Sequence, residues 1–160
     1  MDRDLNAASL VEDALGALAG HPTSDVELGA VGFSNEIMDH VLEIKTTWPP
    51  RSLVEAERWL HEGVDRLSTL LHQRFDARLL PTGMHPWLRP AQAQVWSRSN
   101  NAIYGTYQRL FDVRTHGWAN VQAVHVNLPL GTEEEGVAMM NAAALLVPYL
   151  PAFAASSPIH

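Results

Sequence analysis

The feature that most constrains the fold is a long amphipathic stretch over residues 51–75. It begins directly after Pro49-Pro50, and its apolar residues recur at the spacing of one helical face. The apolar positions are Leu53, Val54, Trp59, Leu60, Val64, Leu67, Leu70 and Leu71. This stretch predicts the most clearly defined helix of the chain.

The other segments predict a mixture of helices and strands. Helices are expected over residues 4–19, 91–111 and 132–146, the last with Thr132 as its N-cap before three glutamates. Strands are expected over residues 26–33, 40–47, 77–82 and 121–128. The segments form a single domain, 1–160, because no linker or repeat divides them. The pattern alone leaves the α+β and α/β classes open.

Composition excludes several classes of function. The 160 residues carry a net charge of −7 and have no run of Lys or Arg, which argues against nucleic acid as a partner. There is no cysteine, so disulfides and thiolate chemistry are excluded. Only 18% of the residues are charged. Either the core is rich in alanine, or a neutral surface packs against something outside this sequence.

The sequence favours a cytoplasmic protein with no membrane span. Residues 1–4 are acidic at two positions and lack the basic and apolar blocks of a signal peptide. The most apolar stretch, residues 138–155, is interrupted by Asn141, Pro148 and Pro151. These interruptions argue against a transmembrane helix.

Two of the predicted strands carry polar residues on one face. In residues 40–47, alternation places Glu43 and Lys45 opposite Leu42 and Ile44. In residues 121–128, it places His125 and Asn127 opposite the apolar residues Val124, Val126 and Leu128. If both strands belong to one sheet, Glu43, His125 and Asn127 converge, and such a set suits Mg²⁺ or Mn²⁺ with a phosphate-bearing ligand. The alternative is a simply solvated sheet face.

Two further groups have a structural and a functional interpretation. Glu36 and Asp39 precede the strand that carries Glu43, and these three acids indicate either a cation site or a solvated turn. His85 lies in the turn Thr82-Gly83-Met84-His85-Pro86, where a histidine is more often part of the loop than a ligand.

Three passages, in the same order, resemble the glutamate–cysteine ligase family, whose members are related to glutamine synthetase. The first runs from His21-Pro22 to the segment of residues 36–46, in which an acid leads seven residues on into a Leu-Glu-Ile-Lys-Thr strand. The second is the turn over residues 79–86, and the third combines residues 123–127 with the Ala-rich, Ser-Ser-Pro segment of residues 150–158. Together they span most of the chain.

The resemblance implies an α+β fold, with a partial glutamine synthetase-like antiparallel sheet and helices packed on one face. It also implies an ATP- and Mg-dependent (or Mn-dependent) ligase that joins the γ-carboxylate of glutamate to an amine such as that of cysteine, through an acyl phosphate. By position, Glu36, Glu43 and His125 would be metal ligands, and His125 and Asn127 would lie beside the nucleotide. Asp39, Thr46 and His85 would contact substrate.

Two departures from the family pattern limit this inference. The family begins with a strand that carries a Glu-x-Glu pair, and nothing before Glu36 matches it. Family chains are also more than twice as long. We therefore expect a truncated or split ligase with part of a metal site and a tendency to form homo-oligomers or to need a complementing chain. The alternative is a non-catalytic binding module derived from the ligase fold.

Overall fold

The computed structural model describes residues 1–80, 82–99 and 101–153. Its centre is an antiparallel sheet of three strands in sequence order: β1 (Asp25–Leu28), β2 (Val31–Asn35) and β3 (Leu42–Thr46). A tight turn at Gly29, whose φ is 73°, joins the first two strands into a hairpin. The predicted strand over residues 26–33 is therefore two strands, and the strand over residues 40–47 is confirmed.

Two helices pack on one face of this sheet, α1 (Val11–Ala19) and α2 (Leu53–Phe75). Phe33 and Ile44 face each other in the register of β2 and β3 and contribute to the core beneath the helices. From α2, Trp59, Leu67 and Leu71 are buried at helical spacing. The α+β class with helices packed on one sheet face is confirmed.

α2 approaches the sheet most closely at Gly63. A Cβ at this position would lie 2.7 Å from Val31 Cγ1 and 2.8 Å from Ile44 Cγ2. Both neighbours are β-branched side chains on the sheet, so the absence of a side chain at Gly63 sets the distance between the two layers.

The remaining helices are α3 (Asn101–Leu110), α4 (His116–Ala119), α5 (Glu133–Leu146) and α6 (Leu150–Phe153). Short 3₁₀ turns cover Pro90–Gln92 and Val147–Tyr149. Thr132 caps α5 as predicted, in a full capping box with Glu135. α5 ends at Leu146, before Pro148, as predicted, and the chain continues through a 3₁₀ turn into the short helix α6.

Three predicted elements differ from the structure for local reasons. The first helix begins at Val11 instead of residue 4, because the Asp2 carboxylate accepts hydrogen bonds from the backbone N–H groups of Asp4 and Asn6 and holds a turn there. The helix over residues 91–111 is interrupted where Val95 forms a bridge with Met38. Residues 77–80 form no strand, and residue 81 lies outside the described ranges.

The predicted strand over residues 121–128 is wrong. Only Val121 pairs, in an isolated bridge with Met84, and the chain beyond it is irregular as far as α5. The side chains of this segment are exposed, with Val124 at 91%. The alternation of apolar and polar residues predicted a strand here. A strand also needs a neighbouring strand to accept and donate its backbone hydrogen bonds, and this segment has none beyond Val121.

One helical stretch of the described chain is long and apolar enough to cross a membrane, Glu133–Phe153, with a mean hydropathy of 1.5 in its most apolar window. None of the residues in its most apolar part is buried. Length and composition are its only membrane-like properties, so the expectation of no membrane partner stays a prediction.

We predict that Gly63→Ala destabilises the protein despite the better helix propensity of alanine. The added methyl group must displace Val31 or Ile44, and overpacking of this kind costs about 1–3 kcal/mol, against a propensity gain of about 1 kcal/mol. Urea unfolding followed by circular dichroism measures the difference in the free energy of unfolding.

Gly105→Ala in α3 is the matched control, since a Cβ there meets nothing within 4 Å. It should leave the stability equal or slightly higher. Equal effects of the two substitutions would contradict the close approach at Gly63.

Candidate functional site

Glu43 lies on the open face of the sheet, as alternation predicted. Its Oε2 accepts a hydrogen bond of 2.9 Å from Ser34 Oγ, and Ser34 is directly opposite Glu43 in the register of β2 and β3. Lys45 Nζ donates to Ser34 Oγ at 3.3 Å and also pairs with Asp25 of β1. The carboxylate of Glu43 is therefore held in one orientation within a network across all three strands.

His125 approaches Glu43 from the irregular segment. Its Nδ1 lies 3.9 Å from Glu43 Oε1, and the His125 side chain is 64% exposed. The structure therefore brings these two predicted site residues together, although not as neighbours in a sheet. A contact of this length on an exposed side chain contributes little to stability, so a ligand can rearrange it easily.

Tyr104 lies near the end of β2, at Asn35. Asn35 Nδ2 donates to the Tyr104 hydroxyl at 3.2 Å. Burial raises the pKa of Tyr104, and the carboxylates of Glu36 and Glu43 raise it further, against the effect of the Asn35 bond. Glu36 and Glu43 are thus close enough to the same hydroxyl for their charges to act on it.

A second group of polar residues surrounds a cavity of about 120 Å³. His40 and His85 line this cavity, and Asp39 is next to His40 in the sequence. Asp39 Oδ1 accepts a hydrogen bond of 2.9 Å from Ser9 and lies 4.0 Å from His40 Nδ1. His40 Nε2 donates to the Ala119 carbonyl at 3.1 Å. The predicted substrate residues Asp39 and His85 are thus grouped with His40.

A side-chain amide fixes the backbone at His85. Asn120 is 1% exposed; its Oδ1 accepts from the His85 backbone N–H at 2.8 Å, and its Nδ2 donates to the His85 carbonyl at 2.9 Å. The neighbouring residues continue the pairing, since the Gln122 backbone N–H donates to the Gly83 carbonyl at 2.7 Å. This contact joins two segments 35 residues apart.

The other predicted residues lie elsewhere. Thr46 is opposite Val31 in the register, on the face that bears α2, so the structure does not bring it to Glu43. Asn127 is exposed, two residues beyond His125. Ser156, Ser157 and Pro158, which contributed to the resemblance, lie outside the described residues.

Sequence reasoning missed four residues with contacts in these two places: Ser34, Tyr104, Asn120 and His40. Alternation could have found Ser34, because it is on the same strand face as Gly32 and opposite Glu43. No local signal identifies Tyr104 or Asn120, whose partners are 69 and 35 residues away.

Comparison with known proteins defines the family. The profile of Glutamate-cysteine ligase family 2 (GCS2) matches residues 4–160. The chain belongs to this family.

An uncharacterized protein from Archaeoglobus fulgidus (strain ATCC 49558 / DSM 4304 / JCM 9628 / NBRC 100126 / VC-16) is 36% identical over 158 residues. The match covers 99% of the present chain and 42% of that relative, so the chain spans less than half of the relative's length. No solved structure matches the chain, and the likeness to glutamine synthetase remains a prediction.

We predict that His40 makes the folded state less stable in mild acid. Burial lowers the pKa of His40 below its ordinary value of 6.5, and Asp39 and the bond to Ala119 only partly oppose this. Well above pH 6.5 the ring is neutral in both the folded and unfolded states. Below it, the unfolded chain takes up a proton first, so stability falls until the pH reaches the lowered pKa.

His40→Gln should therefore flatten this part of the pH profile of the free energy of unfolding. Urea titrations of both proteins across the acid range measure it. The difference between the two proteins should be constant above about pH 8, where a histidine with the ordinary pKa is almost fully neutral. Parallel profiles throughout would show that His40 does not contribute.

Proposed function

We propose that this chain carries part of the catalytic centre of an ATP- and Mg-dependent carboxylate–amine ligase. The reaction has two steps. A γ-carboxylate oxygen of glutamate attacks the terminal phosphorus of ATP, and ADP leaves. The nitrogen of an amine such as that of cysteine then attacks the acyl carbon, phosphate leaves with the bonding electrons, and the amine loses a proton.

The observation that carries the proposal is the fixed carboxylate of Glu43 on the open sheet face. Family membership makes a ligase the expected class of enzyme. Phosphoryl transfer requires positioned groups that hold a divalent ion and phosphates while negative charge moves. Glu43 is held by Ser34 and approached by His125, whereas the opposite face of the sheet is filled by α2.

The residues present fit a Mg²⁺ ion that is shared with a nucleotide. Mg²⁺ at such sites binds one or two protein carboxylates and takes its other ligands from phosphates and water. Glu43 would supply one carboxylate, and Glu36, whose charge acts on the same Tyr104 hydroxyl, is a candidate for a second. The imidazole of His125 is better suited to a phosphate contact than to Mg²⁺, which prefers oxygen ligands. A bound ion would neutralise phosphate charge there, while Ser34 orients Glu43.

A second candidate function is a non-catalytic binding module derived from the ligase fold. Within the described ranges, no group of three or more His, Cys, Asp or Glu side chains is placed to hold a metal ion. The exposed segment of residues 122–131 and the exposed α5 also favour a chain that works with a partner, either a second copy or a complementing chain. Both candidates agree with a cytoplasmic location.

We predict that Glu43→Gln weakens binding of Mg²⁺-ATP by more than about tenfold, the scale expected even for residues that only support a metal ligand. Isothermal titration with Mg²⁺-ATP, with and without glutamate, measures the dissociation constant. Glu27→Gln is the matched control, since Glu27 lies opposite Gly32 on the same sheet face and is exposed.

Equal binding by the wild type and both variants would remove Glu43 from the nucleotide site. If the wild type shows no heat of binding, the isolated chain is a scaffold or partner module. Activity that appears only after a second polypeptide is added would favour a split enzyme over that module.

A further inference from the structure

The helical stretch Glu133–Phe153 is apolar on every side beyond its first turn, yet it packs into no core. After its three glutamates, the only polar side chains are those of Asn141 and Tyr149. None of its residues is buried, and Leu145 is 74% exposed. A helix that is apolar all round is normally enclosed by other protein. The described chain leaves this helix uncovered.

The accessible surface of the chain is larger than that of a typical folded monomer. It amounts to 11188 Å². A folded monomer of 17.7 kDa is expected to expose about 8,000 Å². The excess of about 3,000 Å² is well above the roughly 800 Å² that each partner buries in a standard protein–protein interface. The uncovered surface is therefore large enough for a stable dimer.

A second uncovered apolar surface lies on α3 and α4, and we call it the aromatic patch. Its exposed residues are Ile103, Tyr107, Leu110, Phe111 and Trp118. The rings of Phe111 and Trp118 stack with 5.6 Å between their centroids, and the centroid of Tyr107 lies 6.1 Å from that of Trp118. Packed aromatic side chains of this kind are enriched at the energetic centres of protein interfaces. The aromatic patch is thus formed before any partner binds.

The charges beside the two surfaces are complementary. The helix begins with the three glutamates of residues 133–135 and contains no basic residue. Arg109 lies on α3 and Arg114 in the turn between α3 and α4, and neither forms an ion pair within the described ranges. With Asp112 as the only acid, residues 101–120 have a net charge of +1 in a chain of −7. The patch therefore attracts the acidic start of the helix.

The exposed side of α2 is a poorer match for the same helix. Val54 is grouped there with Glu57 and Asp65, and Arg58 is already paired with Glu62. Acids on this surface repel the glutamates that begin the helix. Charge therefore selects the aromatic patch over the exposed side of α2.

We propose that the helix Glu133–Phe153 of one copy docks on the aromatic patch of a second copy, and that the second copy returns the same contact. Every chain carries both surfaces, so a two-fold dimer covers both. Within one chain they do not meet, since the patch and the helix are each exposed. The contact involves neither Glu43 nor His125, so it forms with or without ligase activity.

Sedimentation equilibrium of the full 160-residue chain measures this association. We expect a dimer that dissociates on dilution. Arg114→Glu and Glu133→Lys should each weaken the dimer by about tenfold or more, because each homodimer then contains a like-charge contact twice. Both side chains are exposed, so neither change disturbs the core.

A mixture of these two variants tests whether the helix comes from the other copy. In the mixed dimer, the helix of the Glu133→Lys chain docks on the patch of the Arg114→Glu chain, and the second contact is the unaltered one. Association should therefore return close to that of the wild type. A helix that docked on the patch of its own chain would gain nothing from mixing.

The apolar part of the contact has its own variant. Leu110→Gln, at an exposed position of the patch, should weaken the dimer by about tenfold, the effect of losing the burial of one leucine side chain. Arg66→Glu and Glu57→Lys make the same charge changes on the exposed side of α2 and are the matched controls. Both should leave the dimer unchanged.

Three outcomes would overturn the proposal: a chain that stays monomeric at high concentration, equal weakening by the controls on α2, or no recovery in the mixture. A monomer that floats with phosphatidylcholine vesicles would assign the helix to a membrane and also overturn it. Glu43→Gln should leave the dimer unchanged. Failure at the nucleotide site and failure of the dimer are therefore measured separately.

Discussion

The close contact between α2 and the sheet at Gly63 determines how the rest of the molecule is arranged. It brings the helix against Val31 and Ile44, so one face of a sheet of only three strands is filled by the core. The other face is left to the polar residues of β1, β2 and β3. Because side chains alternate along a strand, the packing of the partly buried Ile44 against the core places Glu43 on the open face.

Alternation and helical spacing were sufficient for the parts of the structure that depend on local sequence. They predicted α2, the strand at Glu43, the capped start of α5 and the two faces of β3. Each of these follows from residues within a few positions of one another, where geometry is set by the backbone period or by a cap.

The parts that could not be predicted depend on distant partners. The strand over residues 121–128 has the right alternation, but beyond Val121 it pairs with nothing in the described chain. The helix over residues 91–111 has the right spacing, yet Val95 is drawn into pairing with Met38. Similarly, the grouping of Asp39 with His40 and His85 depends on contacts with Ser9 and Ala119, to which no short motif points.

The C-terminal third differs in character from the rest. Large apolar side chains are exposed along the segment before α5 and along α5 and α6. The buried residues of the larger core cluster end at Trp96, and those of the smaller cluster end at Ala119. Exposed apolar surface of this extent is typical of a protein that binds another surface.

The paired hydrogen bonds between Asn120 and His85 have a consequence for how this region tolerates change. With one acceptor and one donor directed at the same residue, the Asn120 amide imitates the backbone of a neighbouring strand. A strand forms its backbone hydrogen bonds with almost any residue at a given position. The two hydrogen bonds made by the Asn120 side chain, in contrast, depend on the length of that side chain and on both of its polar atoms. Aspartate lacks the donor, and glutamine is one methylene longer. The geometry of the cavity lined by His40 and His85 therefore depends on asparagine at this one position.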